Sequence, residues 1–181
     1  MYAVTTAWTP RRRAHSQAPS LAAAAEEHLD DVYAYLVYLT RDRSLAEELA
    51  AETFAKACSA WKRYDPRRGS PKTWLCQLAR TTALDHFRAE ERRRKRETTY
   101  ALHDIDEVAP PAFGEGLSPE LESALGRLSA AEREVLALRV VLELDAKSSA
   151  RLLGISATAC STRLNRALQK LETEVRDDVF A

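Results

Sequence analysis

An irregular acidic segment, residues 97–117, interrupts a chain that is otherwise rich in helix-forming residues. It contains a proline pair and two glycines, and its apolar residues follow neither a helical nor a strand period. Alanine, leucine, arginine and glutamate are abundant on both sides, and the 181 residues include only 5 glycines, which argues against a β-sandwich or barrel. The sequence therefore predicts an all-α fold of two small helical domains, residues 21–96 and 118–181, joined by a flexible acidic linker.

The ends and the cysteines indicate which compartment the protein occupies. Residues 1–20 have no period and predict a disordered tail, and the arginines at 11–13 are not followed by the apolar stretch of a secretory signal. No apolar run approaches the roughly 18 residues of a membrane span. Cys58, Cys76 and Cys160 are far apart, which fits a reducing environment and weakens a zinc or disulfide scaffold. We therefore expect a cytoplasmic protein without membrane insertion.

The formal net charge of zero is the sum of opposed blocks. Residues 26–60 carry −5, residues 61–96 carry +8, residues 97–117 carry −5, and residues 145–171 carry +4. A dense basic block favours contact with a phosphate backbone, although a solvated basic helix end would give the same composition. An acidic block suits a basic partner protein or a solvated face. The distribution predicts separate protein-facing and nucleic-acid-facing surfaces.

Short local signals place the helices of the first domain. The apolar spacing predicts one helix from about residue 21 to 40, and Ser44 with Glu47 fits the capping box of a second. Ser70-Pro71 marks the start of a third helix, which ends in five consecutive cations at 92–96. On that helix the residues expected to face the core are Leu75, Leu78, Ala79, Ala83 and Phe87, with Trp74 also predicted to be core.

The second domain carries the most specific pattern. Ser129 and Glu132 form another capping box, with an apolar stripe of Val135, Leu138, Val141 and Leu142 behind it. Asp145 can cap a short helix, Gly154 permits a tight turn, and Ser156 can cap a following helix with a polar, basic face. Together these features predict a helix-turn-helix, with an ordinary pair of packed helices as the alternative.

No catalytic chemistry is indicated. The four histidines lack metal-ligand spacing, and no phosphate-binding loop, nucleophile elbow or dinucleotide fingerprint occurs. Cys160 lies on an apolar stripe and is expected to be a small core residue. We therefore predict no catalytic residues, no metal and no cofactor. Two basic elements on either side of a linker favour nucleic-acid binding instead, and aromatic residues among the bases of 61–96 suit unstacked bases.

The order of these motifs resembles the extracytoplasmic-function group of bacterial sigma factors. The resemblance covers roughly residues 25–96 and 118–172. It rests on SLAEELAAETFAKACSAWK, the loop YDPRRGS, the helix KTWLCQLARTTALDHFR, and LSAAEREVLALRVVLELDAKSSARLLGISATACSTRLNRAL. It implies a protein that joins core RNA polymerase, directs it to particular promoters and helps to open the DNA. An anti-sigma factor is a usual partner in the family, although nothing in this sequence requires one.

The resemblance also implies which residues carry each role. The core-polymerase surface would comprise Leu45, Glu47, Glu48, Glu52 and Phe54. The minus-ten element would be read by Tyr64, Arg67, Arg68, Ser70, Arg80, Thr81, Asp85 and Arg88. The minus-thirty-five element would be read by Ser156, Thr158, Ser161, Thr162, Arg163 and Arg166. The acidic linker would run toward the polymerase active centre.

Among the departures from the pattern of the family, three bear on DNA recognition. Thr81 stands where the family usually has asparagine, and Ser161 stands where it often has a basic residue. Ser149, in the first helix of the turn motif, stands where the family usually has an apolar residue. We expect altered minus-ten specificity and weaker or unusual minus-thirty-five recognition. Two other readings remain: a stand-alone helix-turn-helix regulator, which would not co-purify with core polymerase, and an anti-sigma or adaptor protein that mimics a sigma domain. An enzyme is a distant fourth possibility.

Overall fold

The computed structural model describes residues 19–97, 113 and 116–180, without the side chains of residue 97 and residues 177–180. The predicted disordered tail and most of the predicted linker therefore lie outside the described residues. Everything described is helix, turn or short connection, with no strand in these ranges. The prediction of an all-α fold is confirmed. None of the described helices is long and apolar enough to cross a bilayer.

The first helical bundle consists of three helices that pack against one another. Helix α1 spans Leu21–Thr40, α2 spans Arg43–Ala60 and α3 spans Pro71–Glu97, with a 3₁₀ turn at Trp61–Arg63 after α2. Burial of large apolar side chains between the three helices supplies the main stabilisation. The largest fully buried side chains here are Val32, Tyr35, Leu36, Leu49, Leu75 and Cys76.

Helix α2 begins two residues earlier than its sequence signal indicates. Arg41 ends α1 in the left-handed conformation with φ of 62°, and this sharp turn leaves Asp42 extended. The Asp42 carboxylate then accepts a hydrogen bond from the Leu45 amide at 3.0 Å and caps the helix. The capping box predicted from Ser44 and Glu47 is therefore wrong, because Ser44 already lies inside the first turn.

Helix α3 extends beyond the bundle that it helps to form. Its 27 residues exceed the 20 of α1 and the 18 of α2, and Ala83 is its last fully buried apolar residue. Phe87 is 37% exposed, so its predicted place in the core is wrong. The periodicity of the sequence continues past the point where partner helices end, and the basic C-terminal turns project into solvent.

The second helical bundle packs three shorter helices around a long one. Helix α4 spans Pro119–Arg127, α5 spans Ala130–Leu136 and continues as a π-helical turn, α6 spans Ala146–Leu153, and α7 spans Ala157–Phe180. Helix α7 contacts each of the other three. The apolar side of α7 is anchored by Cys160 and Ala167, both fully buried, which confirms the core role predicted for Cys160.

The predicted start signals of this bundle are confirmed one by one. Ser129 and Glu132 form a reciprocal capping box on α5. Asp145 accepts hydrogen bonds from the amides of Lys147 and Ser148, both at 2.9 Å. Gly154 has φ of 70°, a conformation that glycine adopts at little cost, and the Ser156 hydroxyl accepts from the Ala159 amide at 3.1 Å. Helices α6 and α7 therefore form the helix-turn-helix.

A π-helical turn at Ala137–Val141 was not indicated by the sequence. The Leu142 amide donates to the Ala137 carbonyl at 2.9 Å, which widens the helix by one residue at this point. The extra residue moves Val141 to the surface, where it is 38% exposed, while Leu138 and Leu142 stay buried. The predicted apolar stripe is therefore wrong at Val141, because it assumed an uninterrupted α-helical period.

Candidate nucleic-acid and polymerase interfaces

The polymerase-binding surface predicted from the sequence forms an acidic ridge on α2. Glu47, Glu48 and Glu52 are exposed along the ridge, while Leu45 and Phe54 are half-buried and pack against the core of the bundle. Glu52 lies 2.7 Å from the Lys56 ammonium, so part of its charge is neutralised. The ridge offers carboxylates at its centre with apolar side chains at its margins, a composition suited to a protein partner with a basic surface.

The loop before α3 is held by an aromatic cluster. The Tyr64 ring stacks on Trp61 at 4.7 Å between centroids, and its edge meets Trp74 at 6.0 Å. The Tyr64 hydroxyl donates to the Gly69 carbonyl at 3.1 Å, and burial followed by the Asp65 charge raises the pKa of Tyr64. One face of Tyr64 is thus already occupied. Arg67, Arg68 and Ser70 are exposed beside it.

Three of the predicted minus-ten residues share the exposed face of α3. Thr81, Asp85 and Arg88 are all exposed, as expected for side chains three or four residues apart. The Thr81 hydroxyl donates to the Gln77 carbonyl at 3.0 Å, and Arg88 lies 3.1 Å from Asp85. The structure therefore brings together a polar strip of mixed charge that continues the basic loop.

Arg80 differs from the other predicted minus-ten residues because its guanidinium is already bound within the chain. Its Nε donates to Oε1 of Glu134 at 2.8 Å, and the Tyr35 hydroxyl donates to the same oxygen at 2.9 Å. Glu134 belongs to α5 of the second bundle, so this cluster joins the two bundles. Burial, followed by the charge of Glu134, raises the pKa of Tyr35 well above its usual value and keeps the phenol protonated.

The predicted minus-thirty-five residues lie at the start of α7. Ser156, Thr158, Ser161, Thr162 and Arg166 are exposed, and Arg163 is half-buried. All of them except Ser161 border a groove of about 530 Å³ between α7 and the capping box of α5, with Ser129 and Glu132 on its far side. A polar helix face that carries the half-buried Arg163 and the exposed Arg166 suits entry into a DNA groove.

Lys170, further along α7, is engaged by the capping box of α5. Its ammonium lies 2.8 Å from Oε1 of Glu132, and the Glu132 carboxylate also accepts from the Ser129 amide at 2.9 Å. Hydrogen bonding from Lys170, helped by Ser129 and opposed by burial, lowers the pKa of Glu132 to about 2. The ion pair holds α7 against α5. It also makes Lys170 less available to DNA than its place on the basic face of the helix-turn-helix would indicate.

The Glu132–Lys170 pair predicts a pH-dependent stability difference. A carboxylate with a folded pKa near 2 and an ordinary unfolded pKa near 4.5 stabilises the fold above pH 4.5 and loses that contribution as pH falls toward 2. Lys170→Met should therefore lower the free energy of unfolding by about 1 kcal/mol at pH 7, after allowance for the half-exposed lysine. Thermal unfolding of the variant and the unaltered chain should show the difference between their free energies of unfolding shrinking as the pH falls from 4.5 to 2. A stability difference that is the same at every pH would show that it does not come from the Glu132–Lys170 ion pair.

Ser149 is a fully buried polar residue in the first helix of the helix-turn-helix. Within the described residues its hydroxyl has no hydrogen-bond partner. A buried unpaired hydroxyl costs on the order of 1–3 kcal/mol. This cost gives a physical reason for the serine at position 149 to loosen the turn motif.

Ser149→Ala should therefore stabilise the protein by about 1 kcal/mol and raise the unfolding midpoint by a few degrees. Alanine also has the higher helix propensity. Ser148→Ala is the matched control, because the neighbouring Ser148 side chain is hydrogen-bonded to Asp145 and should give no gain. Differential scanning calorimetry measures both variants. A lower midpoint for Ser149→Ala would show that its hydroxyl has a partner that stabilises the fold.

The cysteines and carboxylates do not form a chemical centre in the described part of the chain. No group of three or more metal-ligating side chains occurs there, and the three cysteines are free thiols. Burial raises the pKa of Cys76 to about 12 and also raises the pKa of Cys160, so neither is a reactive thiolate at neutral pH.

Comparison with known proteins connects both bundles to transcription initiation. Residues 24–93 match the sigma-70 region 2 family and residues 118–171 match the sigma-70 region 4 family. The chain is 31% identical over 150 residues to the ECF RNA polymerase sigma factor SigM of Bacillus subtilis (strain 168), covering 80% of this chain and 88% of SigM. The chain belongs to the ECF group of RNA polymerase sigma factors. The sequence-based prediction is thereby confirmed.

Two solved structures share the fold of this ECF sigma factor. The sigma factor RpoE from Bartonella quintana, solved with the anti-sigma factor NepR, is 22% identical with a TM-score of 0.66, over 86% of this chain and 96% of RpoE. CnrH, solved with the cytosolic domain of CnrY, is 21% identical with a TM-score of 0.62, over 87% of this chain and 88% of CnrH.

As an ECF sigma factor, the protein binds core RNA polymerase, directs it to specific promoters and aids promoter melting. It is an initiation factor and not an enzyme. Its match to region 2 argues against a stand-alone helix-turn-helix regulator, since that class needs no polymerase-binding helix.

Proposed function

We propose that the acidic ridge of α2 is the surface that binds core RNA polymerase. Its members are Leu45, Glu47, Glu48, Glu52 and Phe54. The exposed carboxylates of Glu47 and Glu48 and the half-buried apolar side chains beside them support this assignment. Charged groups of one sign on a partner-facing helix steer association and fix its orientation.

The loop before α3 and the exposed strip of α3 form the proposed minus-ten surface. The loop contributes Tyr64, Arg67, Arg68 and Ser70, and the helix contributes Arg80, Thr81, Asp85 and Arg88. The single observation that carries this proposal is that an exposed basic loop leads directly into α3, which bears the exposed polar strip, within the part of the chain that matches region 2. Arginines beside exposed hydroxyls can bind phosphates and unstacked bases.

The N-terminal turns of α7 form the proposed minus-thirty-five surface. Ser156, Thr158, Ser161, Thr162, Arg163 and Arg166 would face the major groove, with Ser161 as the position where a basic contact of many relatives is replaced. Each good contact of an arginine with a guanine is worth about 1–3 kcal/mol of discrimination. Recognition with few such contacts should be weak and strongly dependent on salt.

The remaining assignments concern partners, location and domain limits. We propose a cytoplasmic protein with an N-terminal tail at residues 1–20, a linker at residues 97–117, and the two domains at residues 21–96 and 118–181. An anti-sigma factor is proposed as a further partner, supported by the fold shared with RpoE, which was solved in complex with NepR. No cofactor is required for these roles.

Transcription in vitro with core RNA polymerase on a genomic library, followed by mapping of start sites, tests the proposed function. We expect start sites that appear only when the chain is added and that share two upstream sequence elements. Arg163→Ala should weaken the dependence of these start sites on the minus-thirty-five element and leave their dependence on the minus-ten element unchanged. Gln169→Ala on the same helix serves as the exposed control. Start sites without shared elements would contradict the proposal, as would equal effects of the two substitutions.

A further inference from the structure

Trp61 connects the loop proposed to read the minus-ten element to the apolar core of the first bundle. Its indole lies against the Tyr64 ring with 4.7 Å between centroids and 18° between planes, so the two rings are stacked. Trp74 of α3 meets the Trp61 indole edge-on at 5.3 Å and the Tyr64 ring at 6.0 Å. The three rings therefore contact one another pairwise, and each aromatic pair stabilises beyond the apolar area that it buries.

The position of Tyr64 depends on the two tryptophans. Trp61 and Trp74 both pack against the apolar core, but Tyr64 is not among the side chains of the described residues that do so. Tyr64 and Trp61 are each half-buried. The Tyr64 ring is therefore held by the aromatic side chains at positions 61 and 74, and Trp61 supplies the stacked contact.

The Tyr64 side chain in turn closes the loop. Its hydroxyl donates to the Gly69 carbonyl at 3.1 Å, five residues further along the chain, and its amide donates to the Trp61 carbonyl at 2.9 Å. Inside the loop, the Arg67 amide donates to the Asp65 carboxylate at 2.9 Å. One residue therefore fixes both ends of the turn that carries the basic side chains.

The shape of this turn decides where its arginines point. Within the described residues, the side chains of Arg67 and Arg68 form no ion pair that would hold them in place. Ser70, at the end of the loop, accepts from the Thr73 amide at 3.2 Å and so joins the turn to helix α3. The backbone of the loop therefore sets the arrangement of its DNA-facing groups, and a change in the position of Tyr64 would move them.

Aromatic residues in a basic segment also suit direct stacking on unstacked bases. Trp61 is poorly placed for that role, because one face is covered by Tyr64 and Trp74 packs against it as well. Tyr64 and Trp74 border the cavity beside the loop, and among the described residues that line this cavity Trp61 is absent. Trp61 thus lies behind the surface of the loop and can act on DNA only through Tyr64.

From these contacts, and resting on the proposed minus-ten function of the loop, we infer that Trp61 is a positioning residue that sets the base preference of the loop. Stacking holds Tyr64, Tyr64 holds the turn, and the turn presents Arg67, Arg68 and Ser70 in one arrangement. A preorganised surface favours the base that fits it, whereas a loose loop repacks around several bases. Loss of the indole therefore lowers selectivity without affecting assembly with polymerase.

Limited trypsin digestion of the full chain, followed by mass spectrometry, measures the order of the loop without DNA. The bonds after Arg67 and Arg68 lie in the loop, and the bond after Arg88 lies in helix α3 and serves as the internal reference. We expect Trp61→Leu to speed cleavage in the loop about fivefold relative to the reference, and Trp61→Phe to speed it less because an aromatic face remains. Tyr33→Leu, which removes a half-buried ring from α1, is the matched control and should leave the ratio unchanged. Equal acceleration at the loop and the reference would make Trp61 a residue of general stability and overturns the inference.

Transcription with core RNA polymerase from a promoter library randomised across the minus-ten element tests the base preference. At the most selective position, the ratio between the most and the least favoured base should fall about fivefold with Trp61→Leu and less with Trp61→Phe. It should stay unchanged with Tyr33→Leu, and co-purification with core polymerase should be unchanged in all three variants. A preference fully retained by Trp61→Leu overturns the inference. Absence of any minus-ten preference in the unaltered chain overturns the proposed function itself.

Discussion

Glu48→Lys will reduce binding of the full chain to core RNA polymerase about 100-fold without unfolding the protein. Glu48 is exposed at the centre of the acidic ridge of α2, so the substitution disturbs no core contact. Reversing the charge places a cation opposite the basic partner surface that the ridge is proposed to bind, and juxtaposed like charges cost several kcal/mol. About 2.7 kcal/mol corresponds to the expected 100-fold loss. Biolayer interferometry with immobilised core polymerase measures it.

A charge reversal elsewhere on the same bundle separates a specific surface from an effect of net charge. Glu27 on α1 is 73% exposed and changes the net charge by the same amount when replaced by lysine. We expect Glu27→Lys to bind core polymerase within about threefold of the unaltered chain, as is typical of a charge outside an interface. Equal losses for the two variants would move the polymerase-binding surface away from the α2 ridge.

The features that could be predicted from the sequence are those decided by neighbouring residues. Ser118, Ser129 and Asp145 each cap the helix that follows them, because a side-chain oxygen needs only the amides two or three residues ahead. Gly154 takes the left-handed conformation in the turn of the helix-turn-helix for a similarly local reason. The order of these local signals was enough to indicate the fold and the family.

The sequence-based predictions were wrong where two local signals conflicted, or where the lengths of the packed helices decided which residues are buried. Ser44 is a good capping residue, but the preceding turn at Arg41 made Asp42 the cap. The π-helical turn moved Val141 outward, and Phe87 became exposed because the neighbouring helices end before it. In each case the sequence pattern was real, and the length or pitch of the surrounding helices decided the outcome.

The contacts between the bundles were beyond sequence reasoning. Arg80 lies 54 residues from Glu134, and Tyr35 lies 99 residues from it. A single sequence contains no signal that two residues so far apart along the chain will pair. From the sequence alone, Glu134 is simply another acidic residue in a charged helix. The resemblance to the family implies that Arg80 contacts DNA, and the structure adds that its guanidinium already donates to an internal carboxylate.

Arg80→Ala will impair promoter opening by about 30-fold while leaving binding to core polymerase unchanged. A hydrogen bond to a charged group contributes about 1.5–3 kcal/mol, and loss of about 2 kcal/mol corresponds to that factor. The guanidinium of Arg80 on α3 is bound by Glu134 of α5 and not by a carboxylate of α2, so the polymerase-binding ridge should be unaffected. Permanganate footprinting of the melted region measures opening, and co-purification measures assembly. Loss of assembly would instead place this part of α3 on the surface that binds core polymerase.

Glu134→Ala is the matched comparison, because it breaks the same ion pair from the other side. Both variants lose the contact between α3 and α5, so any defect caused by opening of the two bundles must appear in both. We expect normal or improved promoter opening with Glu134→Ala and impaired opening with Arg80→Ala. Only a direct role of the Arg80 guanidinium on DNA produces this asymmetry, since the carboxylate is absent from the proposed minus-ten surface. Equal impairment would instead make the pair a purely structural link.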